Sequence, residues 1–158
     1  MMKRIPMTEP GFRKLKEELE HLFKFERPKN IKDIEEARSH GDLSENAEYH
    51  AAKERQSFIE GRIQELQSKT ALAQVIDTSR IKSDRVTFGA KVKVYDLATD
   101  EERLFQLVGP DEADVSNGRI SITSPVGSGL MSKEVGDTVV VNAPAKTIEY
   151  EIIEISFE

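Results

Sequence analysis

The sequence predicts an α+β protein in two parts. Residues 1–78 read as an N-terminal antiparallel α-helical coiled-coil hairpin, and residues 79–158 as a small α+β domain. Three observations carry this reading. Apolar residues recur at three- and four-residue intervals from Phe12 onward, the seam of a coiled coil. Gly41 interrupts that pattern half-way, where a residue free to take positive φ ends a helix. From about Ile81 the period changes to alternation of β-branched or aromatic residues with polar ones, which is a strand signal. With 37% hydrophobic and 33% charged residues in 158, an elongated chain with much surface is favoured over one compact core.

The first helix is expected to start at Thr8-Glu9-Pro10, with Thr8 as cap, Glu9 at the positive end of the dipole and Pro10 within the first turn. Phe12, Leu15, Leu19 and Leu22 form its seam. Pro28 then falls inside the segment and the seam resumes out of phase at Ile31, Ile34 and Ala37, which predicts a kink or register shift near Pro28. The second helix carries its seam on Ala52, Gln56, Ile59, Ile63, Leu66, Thr70 and Ala73. Two seams of similar length joined by a few residues make a helical hairpin. Each arm of about 30 residues would reach on the order of 45 Å. A rod of that length is built to reach into something.

In the second part, strands are expected over Val86–Tyr95, Arg103–Val108, Ile120–Thr123, Thr138–Asn142 and Ile148–Ile155. One short helix follows Ser124-Pro125. The composition also excludes several functions. There is no cysteine, hence no disulfide framework and no thiolate metal site. No apolar run is long enough for a signal peptide or membrane span, so a cytoplasmic protein with no membrane partner is expected. Residues 1–80 hold 15 Lys+Arg and 15 Asp+Glu, so the net charge of −6 lies in the remainder, with 8 against 14. Such an acidic half argues against a free duplex-DNA binder and fits a protein partner with a basic surface.

The turn between the helices, Gly41-Asp42-Leu43-Ser44-Glu45-Asn46, poses the functional question. Asp42 with Glu45 three residues on has the spacing of a capping box, and Ser44 is a competing cap. The same two carboxylates would suit Mg²⁺, which is held by one or two carboxylates together with ligands from elsewhere. Two are too few for a self-sufficient site, so a metal here would be shared with a partner. Spacing alone leaves both readings open.

The run Glu36-Ala-Arg-Ser-His-Gly-Asp-Leu-Ser-Glu-Asn-Ala-Glu-Tyr-His-Ala-Ala-Lys-Glu54 and the following Phe58-Ile-Glu-Gly-Arg-Ile63 resemble the bacterial Gre-type transcript cleavage factors, the GreA/GreB family. Ile5-Pro-Met-Thr8, Ala73-Gln-Val-Ile-Asp77, Val86-Thr-Phe-Gly89 and Ile122-Thr-Ser-Pro125 fit as well, so the resemblance covers essentially the whole chain. The acidic balance and the lack of an extended basic stripe are closest to the GreA branch. The resemblance implies a monomeric transcription elongation factor that enters the secondary channel of RNA polymerase. There it would stimulate Mg²⁺-dependent cleavage of the 3′ end of backtracked RNA. It would be an activator of the polymerase's own chemistry and not an independent enzyme. Asp42 and Glu45 match the family's acidic pair and are the expected catalytic and Mg²⁺-sharing residues. Arg38, Tyr49, Lys53 and Arg55 are candidates for contact with the nascent RNA 3′ end, each with the alternative of a solvated or supporting role. Ser44, Asn46 and His50 are candidates for tip support, with Ser44 and Asn46 either orienting the acids by hydrogen bonding or only capping the helix. Ile122, Ser124 and Pro125 are the expected contacts to the channel rim, with an ordinary strand-end turn as the alternative.

Ser124-Pro125-Val-Gly-Ser-Gly-Leu130 and Lys133-Glu-Val-Gly-Asp137 also resemble a prolyl isomerase of the FK506-binding type, which implies an FKBP-like fold for the second part. Such isomerases floor their pocket with Trp, and this chain has none. A docking module is the favoured reading. Two alternatives to a cleavage factor stand: a channel-binding inhibitor without cleavage activity, and an FKBP-type isomerase or chaperone.

Overall fold

The structure, a computed structural model, describes residues 3–42 and 45–157. It divides into two compact units. One is Phe12–Leu72; the other combines the segment ending at Gly11 with the chain from Ala73 onward. The expected division near residue 78 thus meets a segment at the N-terminus that packs with the second unit.

Helix α1 (Glu9–His21) begins in the segment ending at Gly11, where the Gly11 N–H donates to the Thr8 hydroxyl at 3.2 Å, and from Phe12 onward it belongs to the first unit. It runs into a π-helical segment, Leu22–Glu26, and then α2 (Arg27–Arg38). Pro28 explains the break. It has no N–H to donate one turn back, and a wider π turn just before it accommodates the loss. The extra residue rephases the seam. Ile31, expected inside, is 45% exposed, whereas its neighbour Asn30 is 3% exposed and donates from Nδ2 to the Ala52 carbonyl at 2.9 Å. Gly41, beyond the end of α2, has φ +112°, a conformation that favours glycine.

Opposite runs α3 (Ala47–Leu72), with Ile59, Ile63 and Leu66 fully buried against Leu15, Leu22, Ile34 and Ala37 of the other arm. The seam expected for this helix holds up to Thr70; Ala73 instead opens a strand. Burying each large aliphatic contributes about 1.5–3 kcal/mol. Bidentate pairs flank the seam: Arg62 to Glu18 at 2.6 and 2.8 Å, and Arg27 to Glu60 at 2.8 and 2.6 Å. Exposed pairs of this kind contribute about 0.2–1 kcal/mol each, so the apolar seam dominates and the charges select the register. Each arginine holds its carboxylate partner below the usual 4.5, and in Glu65 the main cause is Lys69, followed by Arg62.

In the second unit, β1 (Ile5–Thr8) and β2 (Ala73–Ile76) form a two-stranded parallel sheet, Ile5 opposite Ala73 and Thr8 opposite Ile76. Arg4 Nη1 donates to the Ala73 carbonyl at 3.1 Å. Parallel neighbours need a long crossover, and here the whole hairpin is that crossover. The main sheet holds β3 (Lys91–Asp96), β4 (Glu101–Val108), β5 (Arg119–Ser121), β6 (Thr138–Asn142) and β7 (Thr147–Ser156). Their order is β5-β4-β3-β7-β6, antiparallel except for β4 with β5. The short helix α4 is Pro125–Leu130. Val92, Val94, Leu107, Ile120, Val139, Val141, Tyr150 and Ile152 line one core with Leu130. All five strands expected from the sequence are present, but the first begins only at Lys91. Val86 is buried without strand pairing, held through its N–H to the Lys133 carbonyl at 2.8 Å. Among the described residues no helix is long and apolar enough to cross a membrane.

Two predictions follow from the seam and its flanks. Ile34→Ala should cost about 2–4 kcal/mol in denaturant unfolding, whereas Ile31→Ala should stay within about 0.5 kcal/mol. Equal costs would refute the rephased seam. The lowered carboxylates of Glu18, Glu60 and Glu65 contribute stability that is present above their usual 4.5 and lost as pH falls through their lower folded-state values. Urea midpoints should therefore decline as pH drops below about 4.5, and more gently at high salt.

Candidate functional site

The last turn of α2 closes with the His40 N–H donating to the Ala37 carbonyl at 3.2 Å, after which the chain turns at Gly41. The helix that follows is capped by Asn46. Its Oδ1 accepts the Tyr49 N–H at 3.0 Å, and its backbone carbonyl accepts the His50 N–H at 3.1 Å. Its Nδ2 donates to the Ala37 carbonyl at 2.7 Å. One amide therefore starts α3 and ties it to the end of α2.

Of the three caps the sequence offers, Asp42, Ser44 and Asn46, it is Asn46 whose side chain is seen to cap the second helix. Asn is as good a cap as Asp, and Asn46 is the residue immediately before the first helical position. Ser44 lies outside the described residues. Asp42 and Glu45 are both exposed and, with His40, Asn46, Ala47 and Glu48, line one open hollow at the turn. Among the described residues no group of three or more His, Asp or Glu is arranged to hold a metal ion. The donor set offered by Asp42 and Glu45 is hard oxygen, which suits Mg²⁺, but it is incomplete without ligands from elsewhere.

The other tip candidates separate into two groups. Arg38, Tyr49 and His50 come together: the Arg38 guanidinium lies 5.9 Å from the Tyr49 ring centroid, and the Tyr49 and His50 rings meet edge-on at 5.7 Å. Lys53 and Arg55 point elsewhere. Lys53 Nζ donates to Gln56 Oε1 at 2.8 Å, and Arg55 Nη2 donates to Glu26 Oε2 at 2.6 Å across to the π segment. Arg55, followed by His21, holds the Glu26 carboxyl below its usual range.

In the second unit, Ser124 caps α4. Its hydroxyl accepts the Gly127 N–H at 3.1 Å and donates to the Ser121 carbonyl at 2.7 Å. Gly127 is required there, because a Cβ would collide with that same carbonyl. Ile122 is half-buried against the core, and Pro125 is exposed.

Residues 5–75 match the family model described as transcription elongation factor, N-terminal, and residues 81–157 match the one described as transcription elongation factor, GreA/GreB, C-term. The chain belongs to the GreA/GreB family of transcription elongation factors. It is 68% identical over 158 residues, all of both chains, to transcription elongation factor GreA of Thermodesulfovibrio yellowstonii. It is 58% identical, again over all of both chains, to the protein of that name from Trichlorobacter lovleyi. Among solved structures, GreA factor homolog 1 (Gfh1) of Thermus thermophilus is 25% identical, with 98% of this chain and 99% of that one covered and a TM-score of 0.45.

Reading the sequence missed the cross-helix role of Asn46 and the buried seam position of Asn30. The signal for the first was present, since Asn46 directly precedes the helical run. For the second there was none, because Ile31 beside it fits an unbroken seam better.

The cap assignment has a direct test. Asn46→Ala should destabilise the protein by about 1 kcal/mol, whereas Asp42→Ala should change stability by less than about 0.5 kcal/mol. Thermal unfolding of both variants distinguishes them, and the reverse order would return the cap to Asp42.

Proposed function

We propose that this elongation factor enters the secondary channel of RNA polymerase and stimulates the polymerase's own cleavage of the 3′ end of backtracked RNA. The observation that carries the reading is the division of labour at the turn. Asn46 caps α3, so the helix start does not require Asp42 or Glu45, and both are exposed at the end of the hairpin. Family membership supplies the context in which an acidic pair on a helical hairpin has a use.

In this reading Asp42 and Glu45 would hold Mg²⁺ jointly with ligands of the polymerase. When bound, such an ion activates water and offsets charge on a phosphodiester under attack. The contribution of this chain is delivery and positioning. Two carboxylates arrive on a narrow end, where Ala47 and Ala51 keep the flanks small. The amide of Asn46 fixes the start of α3 against α2, so the acids are presented from a braced turn. The Arg38–Tyr49 stack sits at the same end and offers a cation and a ring face to an RNA segment. The chain is therefore an activator, and the polymerase is the enzyme. The second unit serves as the docking module. The exposed Pro125 at the start of α4 is its proposed contact, while Ser124 shapes the turn that presents it.

The test uses stalled, backtracked elongation complexes with end-labelled RNA. Wild-type protein should shorten the RNA in a Mg²⁺-dependent way. Asp42→Asn should bind polymerase within about threefold of wild type and lose at least about 100-fold in stimulated cleavage, the scale of removing one charge-stabilising group. Binding without shortening by the wild type would favour a channel inhibitor instead, and full activity in Asp42→Asn would remove the acid from the mechanism.

A further inference from the structure

The two edges of the main sheet are finished differently. On the β5 side, Arg119 turns its backbone away from β4 and towards Asp114. Its N–H donates to the Asp114 carbonyl at 3.0 Å, and its carbonyl accepts the Asp114 N–H at 2.7 Å. That edge is closed by its own loop. At the other edge lies β6, whose only strand partner among the described residues is β7. Hydrogen bonds just beyond its two ends fix its phase. The Asp137 carbonyl accepts the Ile152 N–H at 3.0 Å, and the Ala143 N–H donates to the Lys146 carbonyl at 3.0 Å. In an antiparallel pair every second residue turns its backbone towards the partner. The backbones of Asp137, Val139, Val141 and Ala143 therefore face β7, and those of Thr138, Val140 and Asn142 turn their N–H and carbonyl groups outward.

Natural sheet edges are commonly blunted by Lys, Pro, a bulge or a covering element. β6 reads Thr-Val-Val-Val-Asn, and its register with β7 is unbroken, from Thr138 opposite Glu151 to Asn142 opposite Thr147. Val139 and Val141 are buried and anchor the strand, while Val140 is 55% exposed. A regular, apolar edge of this kind is a template for one more strand. Charge selects which strand. Glu149 and Glu151 stand opposite Val140 and Thr138, and all four side chains are exposed. From Thr138 to Ser156 there are three acids, Glu149, Glu151 and Glu154, against Lys146 alone. A residue added beside Val140 would lie two strands, about 10 Å, from Glu149. Lys or Arg spans that gap by laying its apolar stem over Val140. A second copy of β6 would instead bring its own Glu149 and Glu151 to the same face, which like charge opposes.

We propose that β6 binds an extended segment of a partner protein by strand addition, the segment carrying Lys or Arg at alternate positions. Backbone groups of Thr138, Val140 and Asn142 supply the pairing, and Glu149 and Glu151 choose the sequence. Binding of this kind lies wholly within the second unit and is independent of the cleavage chemistry.

The experiment uses the full chain and a synthetic end-blocked peptide of alternating Lys and Val, about seven residues long to match a strand. Fluorescence anisotropy of the labelled peptide gives the affinity, and amide hydrogen exchange followed by NMR gives the place. Binding should slow exchange at Thr138, Val140 and Asn142 about tenfold or more, with little change at Val139 and Val141. Val140→Pro removes one outward N–H and spares the β7 ladder, so it should weaken binding at least about tenfold. Glu149→Gln combined with Glu151→Gln should weaken it about threefold or more, and so should Glu in place of Lys in the peptide. The same Lys-Val peptide with alternate backbone nitrogens methylated should bind at least about tenfold more weakly than the parent; this comparison decides the matter if thermal unfolding shows that Val140→Pro does not fold. Equal affinity for the methylated and parent peptides would overturn the inference, because charge alone would then suffice. So would unchanged exchange at Thr138, Val140 and Asn142, or no binding of the Lys-Val peptide. Protection of those three amides that grows with protein concentration in the absence of peptide, and vanishes in Val140→Pro, would overturn the choice of occupant and assign the edge to a second copy.

Discussion

The hairpin depends on one constraint: two helices with little hydrophobic surface between them must meet along a single narrow seam. Ile59, Ile63 and Leu66 supply most of the burial on one side, and Leu15, Leu22 and Ile34 on the other. Everything else in that unit adjusts to this strip. The guanidinium pairs flank it and favour one register. The π segment before Pro28 rephases the first arm so that it keeps facing the second. Towards the turn the apolar contribution thins, and side-chain amides take over. Asn30 reaches the Ala52 carbonyl and Asn46 the Ala37 carbonyl. Hydrogen bonds to backbone are directional where apolar contacts are not, so the end of the rod is held by the interactions that best define position.

That division explains how an acidic turn can exist without destabilising its surroundings. Carboxylates near the start of a helix interact favourably with its dipole, and a separate residue does the capping. The side-chain cap of α3 is thus supplied by an amide and not by either carboxylate.

Much of this was legible in the sequence, and the exceptions have physical causes. The seam of α3 was readable residue by residue because nothing interrupts its 3.6-residue period. The first arm was not, because a π turn shifts the phase by one residue, and Ile31 beside Asn30 invites the wrong face. The strands of the main sheet announced themselves by alternation, as in Lys91 to Asp96. The β1–β2 pair did not: it joins Ile5 to Ala73, and four-residue strands that far apart leave no local trace. At the turn, the acids and their exposed position were evident, but three neighbouring residues can all cap a helix. Only the hydrogen bonds of Asn46 settle which one does.

The π segment Leu22–Glu26 carries a consequence for how such an arm can change over time. In an α-helix each residue advances the azimuth by about 100°, so inserting or deleting one residue anywhere in a regular arm would swing its end to a different side. An arm that already contains a wider turn has a place where an odd residue can be absorbed while the seam on either side stays in contact. The direction in which Asp42 and Glu45 face is therefore counted in residues, and Leu22–Glu26 is where that count can be reconciled between two arms of unequal length.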